Sequence, residues 1–455
     1  MLPIDFVNRM KEMLGEEYPA FEKGFEKPKF QALRFNPLKG EKAEFLEKAS
    51  FSMKPVPWEK NGYYYEAGDT PGKHPFHEAG VYYIQEPSAM APVPFLEVKP
   101  GERVLDLCAA PGGKSTQIAA ALAGEGLLVC NEIHPARAKI LSENVERMGI
   151  RNAIVTNETP EKLSQVFAGY FDKILVDAPC SGEGMFRKNE EAVIQWSLDN
   201  VALCGERQDG ILDCADRMLR PGGRLVYSTC TFAPTENEGS ISRFLHRHPE
   251  YRILPVEKPE GFAPGRGEWC DYETPDIGQT MRIWPHMTDG EGHYLAVLEK
   301  SGEAEGDVRS LYGLEKGVNP KELTEYKEFA AECLNTSLEG VYIKYGDQLY
   351  LGPINMPSLY KLKVLRPGLH LGTMKKNRFE PSHALALALM PQDVKASYEL
   401  SLEDGSALRF LGGQTFTIEQ GKGWHLITAS GYSLGWGKAA GGIMKNHYPK
   451  GLRKL

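Results

Sequence analysis

The sequence predicts an α/β protein: a doubly wound, mostly parallel sheet with smaller α+β modules before and after it. Three observations predict this. Residues 91–300 alternate strand-like and helix-like runs, the pattern of a parallel sheet with helices on both faces. The apolar run from Val104 breaks at Cys108-Ala-Ala-Pro-Gly-Gly-Lys114 and passes directly into Gln117-Ile-Ala-Ala-Ala-Leu122, a run of helix formers. The pattern stops at an acidic, Gly-containing linker, Ser301–Asp307, after which short strands and basic residues dominate.

The elements follow in order. Asp5–Leu14 has helical spacing at Phe6, Met10 and Leu14. Ala32–Lys39 reads as a strand ending at Pro37, because the residue before proline avoids the helical region. Tyr63–Tyr65 and Val81–Ile84 are aromatic, β-prone pieces, and residues 1–90 are expected to form one module. Within 91–300 the expected strands are Arg103–Leu107, Leu127–Asn131, Ala153–Thr156, Lys173–Asp177 and Arg224–Ser228. Helices are expected at Ser115–Ala123, at Pro135–Met148 with proline in its opening position, near Asp199–Leu219, and at Glu236–Arg247. Met281–Trp284 and Tyr294–Leu298 read as a closing hairpin. Residues 308–390 and 391–455 are expected as two further units. Glu322–Leu334 and Pro381–Leu389 read as helices, Gly346-Asp347 as a hairpin turn, and Leu408–Phe410, Thr415–Ile418 and Gly423–Thr428 as strands of a small barrel.

Composition narrows the function. At 455 residues the chain has room for two to four domains. A net charge of −8 excludes a protein that coats nucleic acid by bulk electrostatics, while leaving room for local basic patches. No apolar run approaches the roughly 20 residues that span a bilayer, and no signal-peptide pattern opens the chain, so a cytoplasmic protein is expected. None of the eight cysteines forms a C-x-x-C pair, so no zinc site is expected.

The Gly-rich turn can hold a ligand, since glycine allows close approach and a helix N-terminus offers free N–H groups. Dinucleotide binding needs three glycines that are absent here. The phosphate loop needs Gly where Cys108 stands, although Gly113-Lys114-Ser115 fits its tail. An adenine-type cofactor without a pyrophosphate remains. Glu132 ends the next strand, where a carboxylate can accept from ribose hydroxyls. Two further strands end in Asp177-Ala-Pro-Cys180-Ser-Gly182 and Ser228-Thr-Cys230-Thr231. They bring a carboxylate and two thiols to the edge that carries the Gly-rich turn. Inert cysteines sit mid-element in apolar surroundings; these sit at strand ends among Pro, Ser, Thr and Gly.

These three stretches resemble the first, fourth and sixth motifs of the S-adenosylmethionine-dependent RNA cytosine-5 methyltransferases of the Sun/Fmu (Nol/Nop/Sun) type. Leu33–Asn36 and Gln85–Ser88 also match segments of that family. The resemblance implies a Rossmann-like class I methyltransferase domain over 91–300 and an N-terminal α+β RNA-binding cap over 1–90. It implies S-adenosyl-L-methionine held by Cys108, Ala109, Ala110, Pro111, Gly112, Gly113, Lys114, Glu132 and Asp177. It makes Cys230 the nucleophile, Asp177 the group facing the base, and Cys180 the residue that assists product release. DNA cytosine methyltransferases place their nucleophile in a Pro-Cys motif like Pro179-Cys180, so the opposite assignment stays open.

The family usually has Asp facing the adenine after the third strand; here Glu158 and Thr159 stand there, and that contact is left open. Lys114 can orient substrate or cofactor, or pair with Asp106. Arg187 and Lys188 can grip RNA phosphates or lie in a solvated loop. Arg34, Lys39 and Lys73 can meet phosphates while aromatics of the cap stack on bases.

The tail resembles, more loosely, the PUA-like RNA-binding module of the bacterial small-subunit rRNA branch. Its basic residues are Lys361, Lys363, Arg366, Lys375, Lys376 and Arg378, then Lys438, Lys445, Lys450, Arg453 and Lys454, and Gly431–Lys438 interleaves aromatics with glycine. The expected function is formation of 5-methylcytosine in RNA, in 16S (small-subunit) rRNA before others, whether as naked RNA or within the assembling subunit. A tRNA substrate, or a catalytically silent ribosome-assembly factor, are the alternatives. A monomer is expected, with no metal and no membrane partner.

Overall fold

The computed structural model describes residues 2–303, 306 and 309–453. Ala304, Glu305 and Asp307 of the acidic linker and Lys454 of the basic tail lie outside the described residues.

The centre is a ten-stranded sheet. Its strands are β1 (Arg103–Asp106), β2 (Leu127–Asn131), β3 (Ala153–Thr156), β4 (Phe171–Asp177), β5 (Leu219–Thr229), β6 (Tyr251–Ile253), β7 (Phe262–Pro264), β8 (Met281–Ile283), β9 (His293–Lys300) and β10 (Val364–Arg366). The order is β7-β8-β9-β5-β4-β1-β2-β3-β10, with β6 paired to β9. The run from β5 to β3 is parallel, and β9 joins β5 antiparallel. Strands of such a sheet are buried on both faces. Alternate residues of each core strand accordingly enter different clusters. Leu105, Val129, Ile174 and Leu225 pack on one side, and Val104, Leu128, Leu175 and Val226 on the other.

The crossover helices are α1 (Gly113–Leu122), α2 (Pro135–Arg147), α3 (Pro160–Val166), α4 (Leu198–Met218) and α5 (Glu238–Arg247). Local chemistry sets their starts. Thr159 caps α3 by accepting from Lys162 N, Ser197 caps α4 by accepting from Asn200 N, and proline opens α2 and α3. Among the described residues, no helix is long and apolar enough to cross a membrane.

In the cap, Ala32–Phe35 is the inner strand of a four-stranded sheet between Gly62–Tyr65 and Tyr82–Ile84, with Met53–Pro55 at the edge. After the central sheet come a four-stranded sheet (Val341–Tyr345, Gln348–Gly352, Leu369–Lys375, Arg378–Pro381) and a five-stranded one over 397–446.

Three expectations shift. β5 begins at Leu219 and takes in Arg220-Pro-Gly-Gly, because Phe171 of β4 supplies a partner there. Leu408–Phe410 is helical, within Ser406–Leu411: Ala407, Phe410 and Leu411 are buried while Leu408 is exposed, a helical spacing. Val364–Arg366 leaves its neighbours and becomes β10, the far edge of the central sheet, antiparallel to β3.

Candidate active site

The Gly-rich turn leaves the carboxyl end of β1. Leu107 N donates to Leu175 O (3.0 Å) and Ala109 N to Asn131 O (2.8 Å), which anchors the turn to both neighbouring strands. Gly112 takes φ +116°, a conformation L side chains rarely adopt, and a Cβ there would press on Leu141 at 3.2 Å. The turn's carbonyls are held from outside. Arg137 donates to Ala110 O (2.8 Å), Asn144 to Pro111 O (2.9 Å) and Arg34 to Gly113 O (2.7 Å). Arg34 also reaches Thr116 Oγ1 and Gln85 Oε1. Of the two readings open to it, phosphate contact is not the one the fold uses: Arg34 is a buried brace between cap and turn.

Three carboxylates surround the turn. Asp106 is fully buried; Oδ2 accepts from Ser115 Oγ (2.6 Å) and Oδ1 has no hydrogen bond. Burial first, then the charges of Asp177 and Glu132, against Ser115 and Lys114, push its carboxyl up to about 7. Glu132 is buried at the end of β2, with Oε1 accepting from His134 N (2.9 Å) and Oε2 at 3.4 Å from Arg137. Asp177 ends β4; Oδ2 accepts from Lys114 Nζ and Oδ1 from Ser228 Oγ, both at 2.8 Å. Burial opposes the Asp177 charge, but Lys114 and His293 hold it well below the usual carboxylate range. Lys114 therefore pairs with Asp177 and not with Asp106. Cys108 lies among these carboxylates, and burial with their charges pushes its thiol far up, so it stays protonated.

This setting fits one ligand class. A phosphate would meet three acidic side chains, with the nearby Lys114 cation already paired. A cofactor with a sulfonium and an ammonium group meets complementary charge, and Asp106 Oδ1 is an acceptor waiting for a donor. Thr159 spends its hydroxyl on capping α3, and Glu158 Oε1 accepts from Lys363 N (2.6 Å).

Cys180 and Cys230 meet where β4 and β5 end, with their sulfurs 3.4 Å apart. Both are half-buried. Hydrogen bonding to Cys230, then burial, pushes the Cys180 thiol far up. A polar network behind them fixes the two turns. Ser181 and Thr231 hydroxyls bond at 2.8 Å, and Gly184 N donates to Cys230 O at 2.8 Å. Glu236 accepts from Ser181 N, from Ser181 Oγ, and from Gln208 Nε2. Burial pushes its carboxyl up to about 7. Glu183 is fully buried and accepts from Arg9 (2.6 Å), Trp196 Nε1 (2.9 Å) and Phe232 N (3.0 Å). Sequence reasoning missed Glu183, Glu236, Arg9 and His293. Only Glu183 carried a signal, a carboxylate inside the Gly-rich turn after Cys180.

The other basic candidates divide. Arg187 is buried against Glu291 (2.6 Å), with Lys188 at 3.6 Å from the same carboxylate, so Arg187 is no phosphate grip. Lys39 is buried and donates to Leu387 O. Arg366 is buried on Glu146, Lys375 pairs with Asp347, and Arg378 with Glu380. Lys73, Lys361, Lys363 and Lys376 remain exposed. Tyr432 and Trp436 belong to the core, so the aromatics of Gly431–Lys438 are not a stacking platform.

Comparison with known proteins follows this geometry. Residues 93–299 match a family model described as 16S rRNA methyltransferase RsmB/F. Residues 2–87 match the N-terminal domain of 16S rRNA methyltransferase RsmF, 328–389 its first C-terminal domain, and 397–454 its PUA domain. The chain is 30% identical to ribosomal RNA small subunit methyltransferase F of Shewanella piezotolerans, over 99% of this chain and 97% of that one. It is 31% identical to the protein of the same name from Vibrio vulnificus, with the same coverage. Among solved structures, a methyltransferase homologue from Pyrococcus horikoshii superposes with TM-score 0.58 and 31% identity, over 65% of this chain and 94% of that one.

Proposed function

The chain belongs to the RsmB/F family of 16S rRNA methyltransferases, and from that premise we propose that Cys230, Cys180 and Asp177 make 5-methylcytosine in small-subunit rRNA. The enzyme is S-adenosylmethionine-dependent. The observation that carries the residue assignment is the pair of strand-end thiols, 3.4 Å apart, at the same sheet edge as the Lys114–Asp177 pair.

Carbon 5 of cytosine is too weak a nucleophile to take a methyl group directly. Addition of the Cys230 thiolate to carbon 6 breaks the aromatic ring and loads electron density onto carbon 5. Asp177, held ionised, accepts from the exocyclic amino group and from the N–H formed when nitrogen 3 takes up the proton given up by Cys230, so no charge accumulates on the ring. Bound S-adenosylmethionine supplies an electrophilic methyl group. Solvent water takes the carbon-5 proton, which restores the 5,6 double bond and expels the Cys230 sulfur. Cys180, kept protonated, donates toward that departing sulfur, which is how it assists release. The turn Cys108–Lys114, with Asp106 and Glu132, holds the cofactor; Lys114 also fixes Asp177. The target base must be unstacked to reach the thiols, which suits a single-stranded or loop cytosine. The monomer assignment rests on the absence of a dimerisation signature in the sequence. Asp216, His248 and Glu250 could gather around a cation, but Lys300 and Asp213 already pair with Asp216 and His248, and no metal is assigned a role.

The test is trapping. Wild type, Cys180→Ala and Cys230→Ala are incubated with S-adenosylmethionine and total ribosomal RNA and run on a denaturing gel. Accumulated protein–RNA adduct with Cys180→Ala, and none with Cys230→Ala, is expected. The reverse pattern moves the nucleophile to Cys180. Methyl transfer to tRNA alone would shift the substrate, and no transfer at all would make the chain a silent assembly factor.

A further inference from the structure

His293 opens β9 and is 5% exposed. Its Nδ1 lies 2.8 Å from Gly292 O; a carbonyl only accepts, so Nδ1 carries the hydrogen. That leaves Nε2 as the site for a proton. Nε2 is buried with no hydrogen bond and stands 3.9 Å from Asp177 Oδ1, beyond hydrogen-bond reach.

The register aims this nitrogen. Across the antiparallel β9–β5 pair, Leu295 faces Ser228 and Tyr294 faces Thr229. The ladder ends at that pair, and Cys230 and His293 are the next residues on the two chains. Opposed residues of an antiparallel pair project on one face, as do residues two apart. Asp177 is the partner of Ser228 across the parallel β4–β5 pair. Asp177 and Ser228 thus lie side by side with His293 Nε2 close to Asp177, and Cys230 follows Thr229 at the same end of the three adjacent strands. A histidine with a free buried nitrogen, beside a thiol and backed by a carboxylate, is the arrangement that activates a sulfur nucleophile.

We infer that His293 is the catalytic base for Cys230, an inference that rests on the assignment of Cys230 as nucleophile. Nε2 takes the thiol proton as the sulfur–carbon-6 bond forms, and the imidazolium is held by the Asp177 carboxylate. The proton then passes to ring nitrogen 3, where the electron pair displaced from the 5,6 double bond builds charge, so charge and protons balance. The other charged groups about His293 are accounted for. Lys114 is bonded to Asp177. Glu291, two residues back, is paired with Arg187 and Lys188, and its N–H donates to Glu86. On β8 the facing residue is Ile283, and its neighbour Arg282 is closed on Glu238. Lys114 is the competing activator, since it also lies within electrostatic reach of Cys230.

The experiment measures iodoacetamide alkylation of Cys230 by peptide mass mapping, across pH, without RNA or cofactor, in wild type, His293→Phe and His293→Gln. Near pH 7 the wild type is expected to react about tenfold faster or more than both variants. The rates converge above the ordinary thiol range. Methyl transfer at neutral pH is expected to fall about 10²-fold in both variants, with the deficit shrinking as pH rises. S-adenosylmethionine affinity, measured alongside, reports intact folding, and His293→Gln keeps a polar group if His293→Phe does not fold. Superimposable alkylation profiles in all three proteins overturn the inference and leave Lys114 as the activator. Adduct formation by Cys230→Ala would instead remove the nucleophile assignment, an outcome the alkylation profile cannot mimic.

Discussion

Asp106 turns the electrostatics of the Gly-rich turn into something measurable. With its carboxyl pushed up to about 7 by burial, it carries a proton far more often at neutral pH than an ordinary carboxyl does. A cationic ligand favours the carboxylate, so binding S-adenosylmethionine releases protons at pH 7 and releases none from this group at pH 9, where Asp106 is already ionised. Calorimetric titration in buffers of different ionisation enthalpy should show that release, and Asp106→Asn should abolish it. A pH 7 enthalpy independent of buffer would remove the complementarity between this turn and a cationic cofactor. At this scale the sequence was generous where chemistry is local. Asp177, Cys180 and Cys230 were legible because each ends a strand inside a distinctive polar turn. Glu236 and His293 were not. Glu236 reaches the site through Ser181, 55 residues away, and His293 through Asp177, 116 residues away, separations that no local pattern records.

The elements around the turn work as a clamp. The strand Ala32–Phe35 and the helix α2 hold its carbonyls from opposite sides, through Arg34 in one case and Arg137 with Asn144 in the other. Arg34 stays charged, since burial brings it down only to about 10. Arg34→Met should weaken S-adenosylmethionine binding by about tenfold, because it leaves buried acceptors unpaired beside the cofactor. Titration calorimetry checks this. Unchanged cofactor affinity combined with lost RNA affinity would return Arg34 to the phosphate-gripping role that its sequence position suggests. The strand itself was readable from Ala32-Leu-Arg-Phe, but its arginine reads identically whether it faces solvent or Gly113. The misjudged Ser406–Leu411 helix has the same origin: six residues of mixed pattern fit either period until packing selects one.

The modules of the whole molecule are bolted together. Phe76 of the cap packs edge-on to Tyr432 of the last sheet at 4.9 Å, and Tyr448 reaches Glu78 at 3.2 Å. Gly149, at φ +71°, lets Leu387 O approach so closely that a Cβ would stand 2.5 Å from it, and Lys39 donates to the same carbonyl. β10 ties the segment after the linker to the central sheet, with Arg366 buried on Glu146. Deleting residues 391–455 therefore strips cover from Phe76 and its neighbours in that cluster. The shortened chain should melt roughly 5 °C lower or more and bind a hydrophobic dye through the exposed patch. Full-length stability and no dye binding would show the last module to be an independent appendage.

By itself the sequence determined the doubly wound sheet, the Gly-rich turn after its first strand, and the strand ends carrying Asp177, Cys180 and Cys230. Periodicity, Gly and Pro chemistry and strand-to-helix transitions are written within a few residues of one another. Only the tertiary structure decided which charges are available. Arg34, Lys39, Arg187 and Arg366 can be read from the sequence as cations open to RNA, and the fold buries them in pairs or on carbonyls. It also decided what backs the thiols, with Glu236 bonded to Ser181 and His293 set beside Asp177. Charge is free for a partner only where folding has not already supplied one, and that depends on contacts between residues far apart in the chain.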